Sequence, residues 1–375
     1  MNRSARIPAP FRTALSYSFR IMKLFLSFPV FVLLFVALGS GFVHAADTPA
    51  NALLVLSKHD GTLAIIDPSS LQVIARIPVG KDPHEVIASS DGKTAYVSNY
   101  GFGAYNTLAV VDLVAQKALP AVDLGALRGP HGLTFVGGKA WFTAEGAKAI
   151  GRYDPASKSV DWILGTGQNR THMIYVSPDI RLIVTTNVSS GTVSIIEKTD
   201  TGVAGQGRPL DAPGGDWNET VVKVGSGSEG FDVSPDRKEI WVANAGDGTV
   251  SIIDIATRRV TQTLEANVGG ANRLKFTPNR KLALISSLRG ADVTVIDSAT
   301  RKTVQRIAVG HGAAGIVMQP DGARAFVACS PDGYVAVIDL HSMKVVGPHR
   351  GGAGSRRVGM GEQWNCRTAS LTSTQ

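Results

Sequence analysis

The chain has 375 residues, 44% of them hydrophobic and 18% charged, which is a globular composition and excludes a chain too polar to form a core. Its formal net charge of +8 would suit a nucleic-acid or membrane partner, but the excess lies at the two ends. Residues 1–45 carry five basic residues and no acidic one, residues 350–375 carry four arginines against one glutamate, and the region between is neutral overall. The charge therefore gives no argument for a nucleic-acid partner.

The N-terminus has the three parts of a secretory signal: basic residues up to Lys23, an apolar run over 24–38, and small residues ending at Ala45. We expect a signal peptide over residues 1–45 with cleavage after Ala45. An uncleaved membrane anchor is the alternative. It is disfavoured because Pro29 interrupts the apolar run, which is shorter than the ~20 residues of a membrane span.

These features predict an exported protein, periplasmic or secreted, with no membrane span after cleavage. No cysteine lies near the cleavage site, which argues against a lipoprotein. Met22 followed by Lys23 would make a more ordinary start for such a signal than Met1, so both starts stay open. The two cysteines, Cys329 and Cys366, are too few for a disulfide framework.

An acidic residue that ends a short β-branched run recurs about every forty residues. These residues are Asp67, Asp112, Asp154, Glu197, Asp254, Asp297 and Asp339. Seven units of this length, each with four short strands, predict an all-β fold, a seven-bladed β-propeller with four-stranded antiparallel blades. We place it at residues 46–349, as a monomer, followed by an irregular basic tail at 350–375.

Residues 227–254 are the most regular copy. Pro235-Asp236 supplies a turn, Asp247-Gly248 a tight hairpin, and Asp254 closes the strand that follows the hairpin. We expect the carboxylate of Asp254, and its equivalents, to accept hydrogen bonds from the turn that follows.

Four of the copies resemble the YVTN-repeat family of seven-bladed propellers, over about residues 51–347. They are Ala95-Tyr96-Val97-Ser98-Asn99, Val184-Thr185-Thr186-Asn187, Trp241-Val242-Ala243-Asn244 with the preceding Ser234-Pro235-Asp236, and Val317-Met318-Gln319-Pro320-Asp321-Gly322. The resemblance implies the fold and says little about activity, because one scaffold hosts many sites.

Two irregularities interrupt the repeats. Blade one shows only three strands from residue 51 onward, and the residues after Gly347 that should donate its missing strand have almost no β pattern. We therefore expect the closing strand to be weak or absent. Residues 199–217, rich in glycine, proline and aspartate, are inserted between the third and fourth strands of blade four.

A position at the connection entering the first strand recurs in consecutive blades, and it carries a polar side chain in five of the six. It holds His84, His131, His172, Glu229, Asn272 and Ala314 in blades two to seven. The hairpins between strands two and three emerge on the same face, which adds a rim of Tyr100, Asn99, Glu145, Arg170, Asn187, Asn244 and Arg273. We expect all of these side chains to meet at one mouth of the central channel.

Two interpretations of this mouth remain open. It can bind an unknown small molecule or protein partner, and neutral imidazoles of His84, His131 and His172 could hold a divalent metal there. Alternatively, the position favours any polar side chain that hydrogen-bonds the neighbouring blade's backbone, a task that Glu229 and Asn272 could also perform.

Blade three contains a second resemblance. Residues 129–155, GPHGLTFVGGKAWFTAEGAKAIGRYDP, resemble the repeat of streptogramin lyases, which use a channel histidine, a glutamate beyond the WFT strand and a divalent metal. That resemblance assigns catalytic roles to His131 and Glu145. Lys148 stands where the family places a further histidine. The sequence thus predicts a binding protein, with a metal-assisted lyase or hydrolase of streptogramin-lyase or lactonase type as the alternative.

Overall fold

The computed structural model describes residues 46–199, 216–346 and 366–373, the last of these by its backbone. The predicted signal peptide at 1–45 lies outside the described residues, as does most of the predicted tail at 350–375. None of the helices in the described ranges has the length and apolar character of a membrane span.

The described strands are short and follow the order expected for a repeat. In blades one to three they are β1 (Asn51–Ser57), β2 (Thr62–Ile66), β3 (Val73–Pro78), β4 (Pro83–Ala88), β5 (Thr94–Asn99), β6 (Thr107–Asp112), β7 (Lys117–Asp123), β8 (Pro130–Val136), β9 (Lys139–Ala144), β10 (Ala149–Asp154) and β11 (Ser159–Gly165). In blades four and five they are β12 (Thr171–Val176), β13 (Leu182–Asn187), β14 (Thr192–Thr199), β15 (Asp216–Lys223), β16 (Ser228–Val233), β17 (Glu239–Asn244), β18 (Val250–Asp254) and β19 (Arg259–Leu264). The remaining strands are β20 (Ala271–Phe276), β21 (Leu282–Ser287), β22 (Asp292–Asp297), β23 (Thr303–Ala308), β24 (Ala313–Met318), β25 (Arg324–Cys329), β26 (Tyr334–Asp339), β27 (Lys344–Val345) and β28 (Cys366–Ser373).

These strands form seven antiparallel four-stranded sheets arranged in a ring, so the predicted seven-bladed propeller is confirmed. Blades two to seven each use four consecutive strands, beginning with β4, β8, β12, β16, β20 and β24. In each of these blades the first strand lies innermost. Two short 3-10 helices, Gly101–Gly103 and Glu145–Ala147, sit in the hairpins after β5 and β9.

The closing strand of blade one is present, and the expectation that it is weak or absent was wrong. β28 pairs antiparallel with β1, giving the order β28-β1-β2-β3. Its pairing runs from Asn51 opposite Ser373 to Ser57 opposite Cys366, with one irregularity. The ladder needs only backbone groups in an extended chain. A search for alternating apolar residues misses such a strand.

The core lies between neighbouring blades, because a blade in a ring has sheets packed on both of its faces. Successive residues of a central strand point to opposite faces, and both faces are covered, so Ala95, Val97 and Ser98 of β5 are all fully buried. Outer strands have one covered face at most, and exposure alternates along β11. Each fully buried Leu or Ile contributes about 1.5–3 kcal/mol relative to exposure.

The recurring acidic residue stabilises turns, as predicted. Asp254 Oδ1 accepts hydrogen bonds of 2.7 Å from the backbone amide and the hydroxyl of Thr257. Asp297 accepts the equivalent pair from Thr300. These bonds keep the pKa of both aspartates below the ordinary value.

Candidate functional site at the channel mouth

Every inner strand of blades two to seven carries a β-bulge at the same place. The register shifts lie between Pro83 and Val86, Pro130 and Leu133, Thr171 and Ile174, Ser228 and Phe231, Ala271 and Leu274, and Ala313 and Ile316. A bulge leaves residues unpaired and turns their side chains away from the regular alternation. Each bulge therefore releases two successive residues at the channel mouth.

Each of the six bulges contributes at least one residue to the lining of one cavity of about 320 Å³, here called the mouth cavity. Its lining residues are His84, Glu85, Tyr100, Phe102, His131, Arg170, His172, Glu229, Asn272, Arg273, Leu288 and Ala314. The structure thus brings together all the aligned positions named from the sequence, with Tyr100, Arg170 and Arg273 of the expected rim. Glu145 is buried beside the cavity, where it contacts His172.

The predicted rim asparagines lie elsewhere. The side-chain amide of Asn99 donates to the carbonyls of Val79 and Lys81 at 2.9 and 3.0 Å. Those of Asn187 and Asn244 each donate to two hydroxyls within their own blades. These three residues stabilise the loops and hairpins around the mouth and do not face the cavity.

Backbone links between neighbouring blades come from buried hydroxyls on the second strands. Four of them donate to the carbonyl of the mouth residue in the next blade: Ser98 to His131 (2.9 Å), Thr143 to His172 (2.5 Å), Thr186 to Glu229 (2.6 Å) and Ser286 to Ala314 (2.6 Å). The same hydroxyls accept the bulge amides of Glu85, Gly132, Met173 and Arg273. The mouth side chains are thus not needed for this structural task, which the sequence left as one of their possible roles.

Close approach of the inner strands explains two glycines at the second bulge position. A Cβ on Gly132 would lie 2.5 Å from the carbonyl oxygen of His172, and one on Gly230 would lie 2.0 Å from that of Asn272. Real Cβ atoms do not approach so closely, so these positions accept only glycine without a backbone shift. In blades two and six the same position carries Glu85 and Arg273.

His172 is held between two carboxylates. Its Nδ1 lies 2.5 Å from Oε1 of Glu145, and its Nε2 lies 2.6 Å from Oε2 of Glu229. Burial alone would lower the pKa of His172, but the charges of Glu229 and Glu145 outweigh burial and raise this pKa to about 9. At neutral pH both ring nitrogens therefore carry protons and donate.

The pKa values of the two carboxylates, Glu145 and Glu229, are shifted downward, opposite to that of His172. Burial favours their protonated forms, but the His172 cation prevails and lowers the pKa of Glu229 to about 2. The pKa of Glu145 is also lowered, through its bond to His172 and a further bond from the Tyr100 hydroxyl. Arg170 Nε lies 3.4 Å from Glu145 Oε2. Burial and Glu145 together raise the pKa of Tyr100, which keeps this hydroxyl protonated as a donor.

His131 lies at the centre of a stack of three histidines. Its ring centroid is 3.7 Å from that of His172 and 4.2 Å from that of His84. It is fully buried, and its Nδ1 has no hydrogen-bond partner among the described residues. Burial first, and then the neighbouring cations, hold the pKa of His131 well below the ordinary value, so the ring is neutral.

Glu85 and Arg273 form an ion pair across the channel, between blades two and six. Both side chains are only 8% exposed. The second terminal nitrogen of Arg273, Nη1, is buried without a partner in the described part of the chain. Beside Glu85 in the sequence, His84 has its own cationic neighbour: Lys58 Nζ lies 2.9 Å from His84 Nδ1 and 2.5 Å from Asp82 Oδ1.

Sequence reasoning missed several residues of this site. Glu85 was overlooked because a regular strand would turn it away from His84, whereas the bulge turns both inward. Lys58, Phe102 and Leu288 belong to hairpin regions that vary between the copies. The signal that could have found Phe102 is its position as a large apolar residue between two glycines.

The donor set of the mouth fits a divalent metal in one arrangement. His131, Glu145 and His172 each offer a ligand atom, and these atoms lie within 4.8 Å of one another. For His172, metal binding would displace the ring proton that it donates to Glu145. Imidazole and carboxylate together suit zinc and similar ions, and the unpartnered Nδ1 of His131 is a free ligand position. The triplet contains Glu145 where the sequence suggested His84.

A second cavity, of about 380 Å³, lies between blades one and two. Its lining is mainly apolar and includes Val79, Ala109 and Leu119, and its charged residue is Lys81. It therefore lacks the convergent acids, bases and cations that distinguish the mouth cavity.

Comparison with known proteins supports the fold. Residues 211–324 match the model of the YNCE-like beta-propeller family, in agreement with the expected resemblance to a seven-bladed propeller family. None of the curated protein sequences matches this chain.

Solved structures share the architecture at low sequence identity. A functionally unknown protein from Desulfotomaculum acetoxidans is 13% identical, with a TM-score of 0.66 over 87% of this chain and 100% of the other. A candidate 6-phosphogluconolactonase from Bacteroides fragilis is 15% identical, with a TM-score of 0.64 over 87% and 99%. The dihydro-heme d1 dehydrogenase NirN is 15% identical, with a TM-score of 0.58 over 88% and 76%. At such identities the likeness concerns the fold alone and says nothing about activity. The chain is a seven-bladed β-propeller.

Proposed function

We propose that this protein is an exported β-propeller that binds a small polar molecule, or a polar group of a protein partner, in the mouth cavity. The observation that carries the proposal is that Arg273 and His131 line this cavity, while Arg273 Nη1 and His131 Nδ1 are buried without a hydrogen-bond partner among the described residues. Leaving such groups unpaired costs about 1–3 kcal/mol each. A ligand that pairs with them would recover that free energy.

The surrounding charges support recognition of a specific ligand. Three carboxylates, Glu85, Glu145 and Glu229, face three cations, Arg170, Arg273 and protonated His172. The hydroxyl links between blades fix the backbone beneath these groups, so the cavity is preorganised. A preorganised, convergent polar site is characteristic of ligand binding.

Binding is tested by thermal shift of the purified mature protein with acetate, citrate, phosphate and glucose as probes. We expect at least one probe to raise the melting temperature of the native protein and of a Val304→Ala control, which alters an exposed residue of β23. The shift should disappear in His131→Ala. Equal shifts in all three proteins would contradict a site at the mouth.

Export is supported by the sequence pattern of residues 1–45 and by the neutral, repeat-built body that follows. Fractionation of cells expressing the full chain should place the protein in the periplasm or the medium, with Ala46 as its first residue. Recovery of an uncleaved protein in the membrane fraction would contradict export as a mature protein.

A metal-assisted lyase or hydrolase is the second candidate, favoured by the His131, Glu145 and His172 triplet. A bound divalent metal would supply Lewis acidity toward a carbonyl or phosphoryl oxygen. Around it, Tyr100 and Arg170 would position Glu145, and Glu229 would orient His172 through its ring nitrogen. Water exclusion by the buried histidine stack would strengthen these interactions.

Metal analysis separates the two candidates. After dialysis against zinc or manganese, an enzyme of this kind should retain one metal ion per chain, and the double variant His131→Ala with Glu145→Gln should retain none. A binding protein should hold its ligand or partner in the presence of a chelator. Retention of metal by the double variant would contradict the triplet as its site.

A further inference from the structure

Phe102 places an aromatic ring at the entrance of the mouth cavity with 81% of its surface exposed. Its φ is 52°, in the left-handed region that bulky residues avoid, and Gly101 and Gly103 beside it have φ of 55° and 89°. The chain therefore holds an exposed ring in a strained conformation and gains no burial from it. Strain of this kind is retained where a function needs the side chain.

The loop that presents Phe102 is fixed by its surroundings. The Gly101 amide donates to Asp82 Oδ2 at 2.8 Å, and the other oxygen of Asp82 pairs with Lys58. Gly103 packs so closely on the next blade that a Cβ on Gly129 would lie 2.8 Å from its Cα. The exposure of the ring is thus built into the structure and does not reflect a loose loop.

A second apolar side chain completes the entrance. Leu288, 37% exposed, lines the same cavity from the hairpin after β21 of blade six. Phe102 comes from blade two, so the cavity has apolar side chains from two different blades beside its charged residues. Apolar groups at the edge of a polar cavity indicate a ligand with both kinds of surface.

The charged residues that line the cavity determine which hydrogen-bonding group the polar end of that ligand must carry. Arg273 lines the cavity and its guanidinium can only donate, so a ligand group that pairs with it must offer an acceptor oxygen. Glu85 already balances the Arg273 charge, so a neutral carbonyl can serve as well as a carboxylate. The volume of about 320 Å³ is at the lower end of ligand cavities and admits one small ring system.

We propose that the mouth cavity takes a small aromatic molecule whose ring packs between Phe102 and Leu288 and whose carbonyl or carboxylate oxygen accepts from Arg273. This inference rests on the proposed binding function and names the class of ligand. Stacking against Phe102, with the Tyr100 ring 5.8 Å from it, would favour a flat aromatic ring over an alicyclic one.

Four probes test the ligand class by ligand-observed NMR: naphthoate, naphthamide, cyclohexanecarboxylate and acetate. Naphthoate should bind saturably to the native protein, and cyclohexanecarboxylate and acetate should bind at least several-fold more weakly. Binding of naphthoate alone would identify a carboxylate as the acceptor. Binding of naphthamide as well would show that a neutral carbonyl suffices.

Variants locate the contact. Phe102→Ala should weaken naphthoate binding by about tenfold, and Phe102→Trp should preserve it. Phe102→Gly keeps the left-handed backbone accessible, so it should lose binding without losing thermal stability, while Val304→Ala should change neither. Arg273→Lys retains a cation beside Glu85 but lacks Nη1, and should also weaken naphthoate binding.

Two results would overturn the inference. If Phe102→Ala bound naphthoate as tightly as the native protein, or if acetate bound as tightly as naphthoate, the ring would have no role, while the mouth would still be a binding site. If none of the four probes bound, the ligand class would be wrong. The proposed function would then be judged separately by the His131→Ala thermal shifts.

Discussion

Arg273 of blade six and Glu85 of blade two, 188 positions apart in the sequence, form a buried ion pair across the channel. Breaking a buried pair by removing one partner leaves an uncompensated charge, at a cost of about 3–5 kcal/mol. We expect Glu85→Ala and Arg273→Ala each to lower the free energy of unfolding by an amount in this range. The double variant should cost clearly less than the two added together.

Urea denaturation of the native protein, both single variants and the double variant gives the coupling energy. Additive effects would show that the two side chains do not stabilise each other. The reduced cost of the double variant is expected because it leaves no unpaired charge in the channel.

Thr143 and Thr185 form a matched pair for testing the hydroxyl links. Thr143 Oγ1 accepts the Gly132 amide and donates to the His172 carbonyl, whereas Thr185 Oγ1 is buried without a partner among the described residues. Thr143→Val should therefore destabilise the protein by about 2 kcal/mol. Thr185→Val, which removes an unsatisfied hydroxyl, should be neutral or stabilising. Thermal denaturation measures both, and equal losses would argue against the links.

Close approach of the inner strands predicts different effects of alanine at two glycines. A Cβ at Gly230 would meet the Asn272 carbonyl, while one at Gly269 would meet nothing within 4 Å. Gly230→Ala should cost about 3 kcal/mol or more, because the backbone must move. Gly269→Ala should be tolerated. Chemical denaturation compares the two, and a harmless Gly230→Ala would contradict the close contact.

The position of His172 between Glu145 and Glu229 predicts that the folded protein loses stability in alkaline solution. Its pKa is raised to about 9 in the folded protein, from an ordinary value of 6.5. The folded state therefore holds this proton more tightly than the unfolded chain does. The resulting stabilisation is complete below about pH 6.5 and is lost as the pH rises through about 9.

Melting temperatures of the native protein and His172→Gln between pH 6 and pH 10 test this dependence. The native protein should lose stability across the window, and the difference between the two proteins should shrink as the pH rises. Parallel curves would show that the imidazolium is not stabilised by Glu145 and Glu229.

Much of the fold was predictable because the repeat is long and its turn residues recur. Asp254 and its equivalents recur once in each blade, at or near the end of its third strand, and counting them gives the number of blades. The closing strand was not predictable in this way, since β28 is held through backbone pairing with β1 and has little apolar alternation.

The site was predictable to the extent that it follows the repeat. Aligned copies place His84, His131 and His172 at one mouth, which the structure shows. Alternation along a strand could not reveal that Glu85 joins them, because a bulge breaks the alternation there. The placement of Asn99 was also beyond the pattern, since its amide turns to nearby carbonyls in the three-dimensional structure.

Because of the bulges on the inner strands, the side chains that line the mouth cavity are different groups from the hydroxyls that link neighbouring blades. Hydroxyls on the second strands link neighbouring blades through backbone carbonyls, so a substitution at the first bulge position can alter the charge of the cavity without removing those bonds. The residue at this position is histidine in blades two, three and four, glutamate in blade five, asparagine in blade six and alanine in blade seven. A propeller built in this way can change the side chains of its mouth cavity one blade at a time while its architecture stays the same.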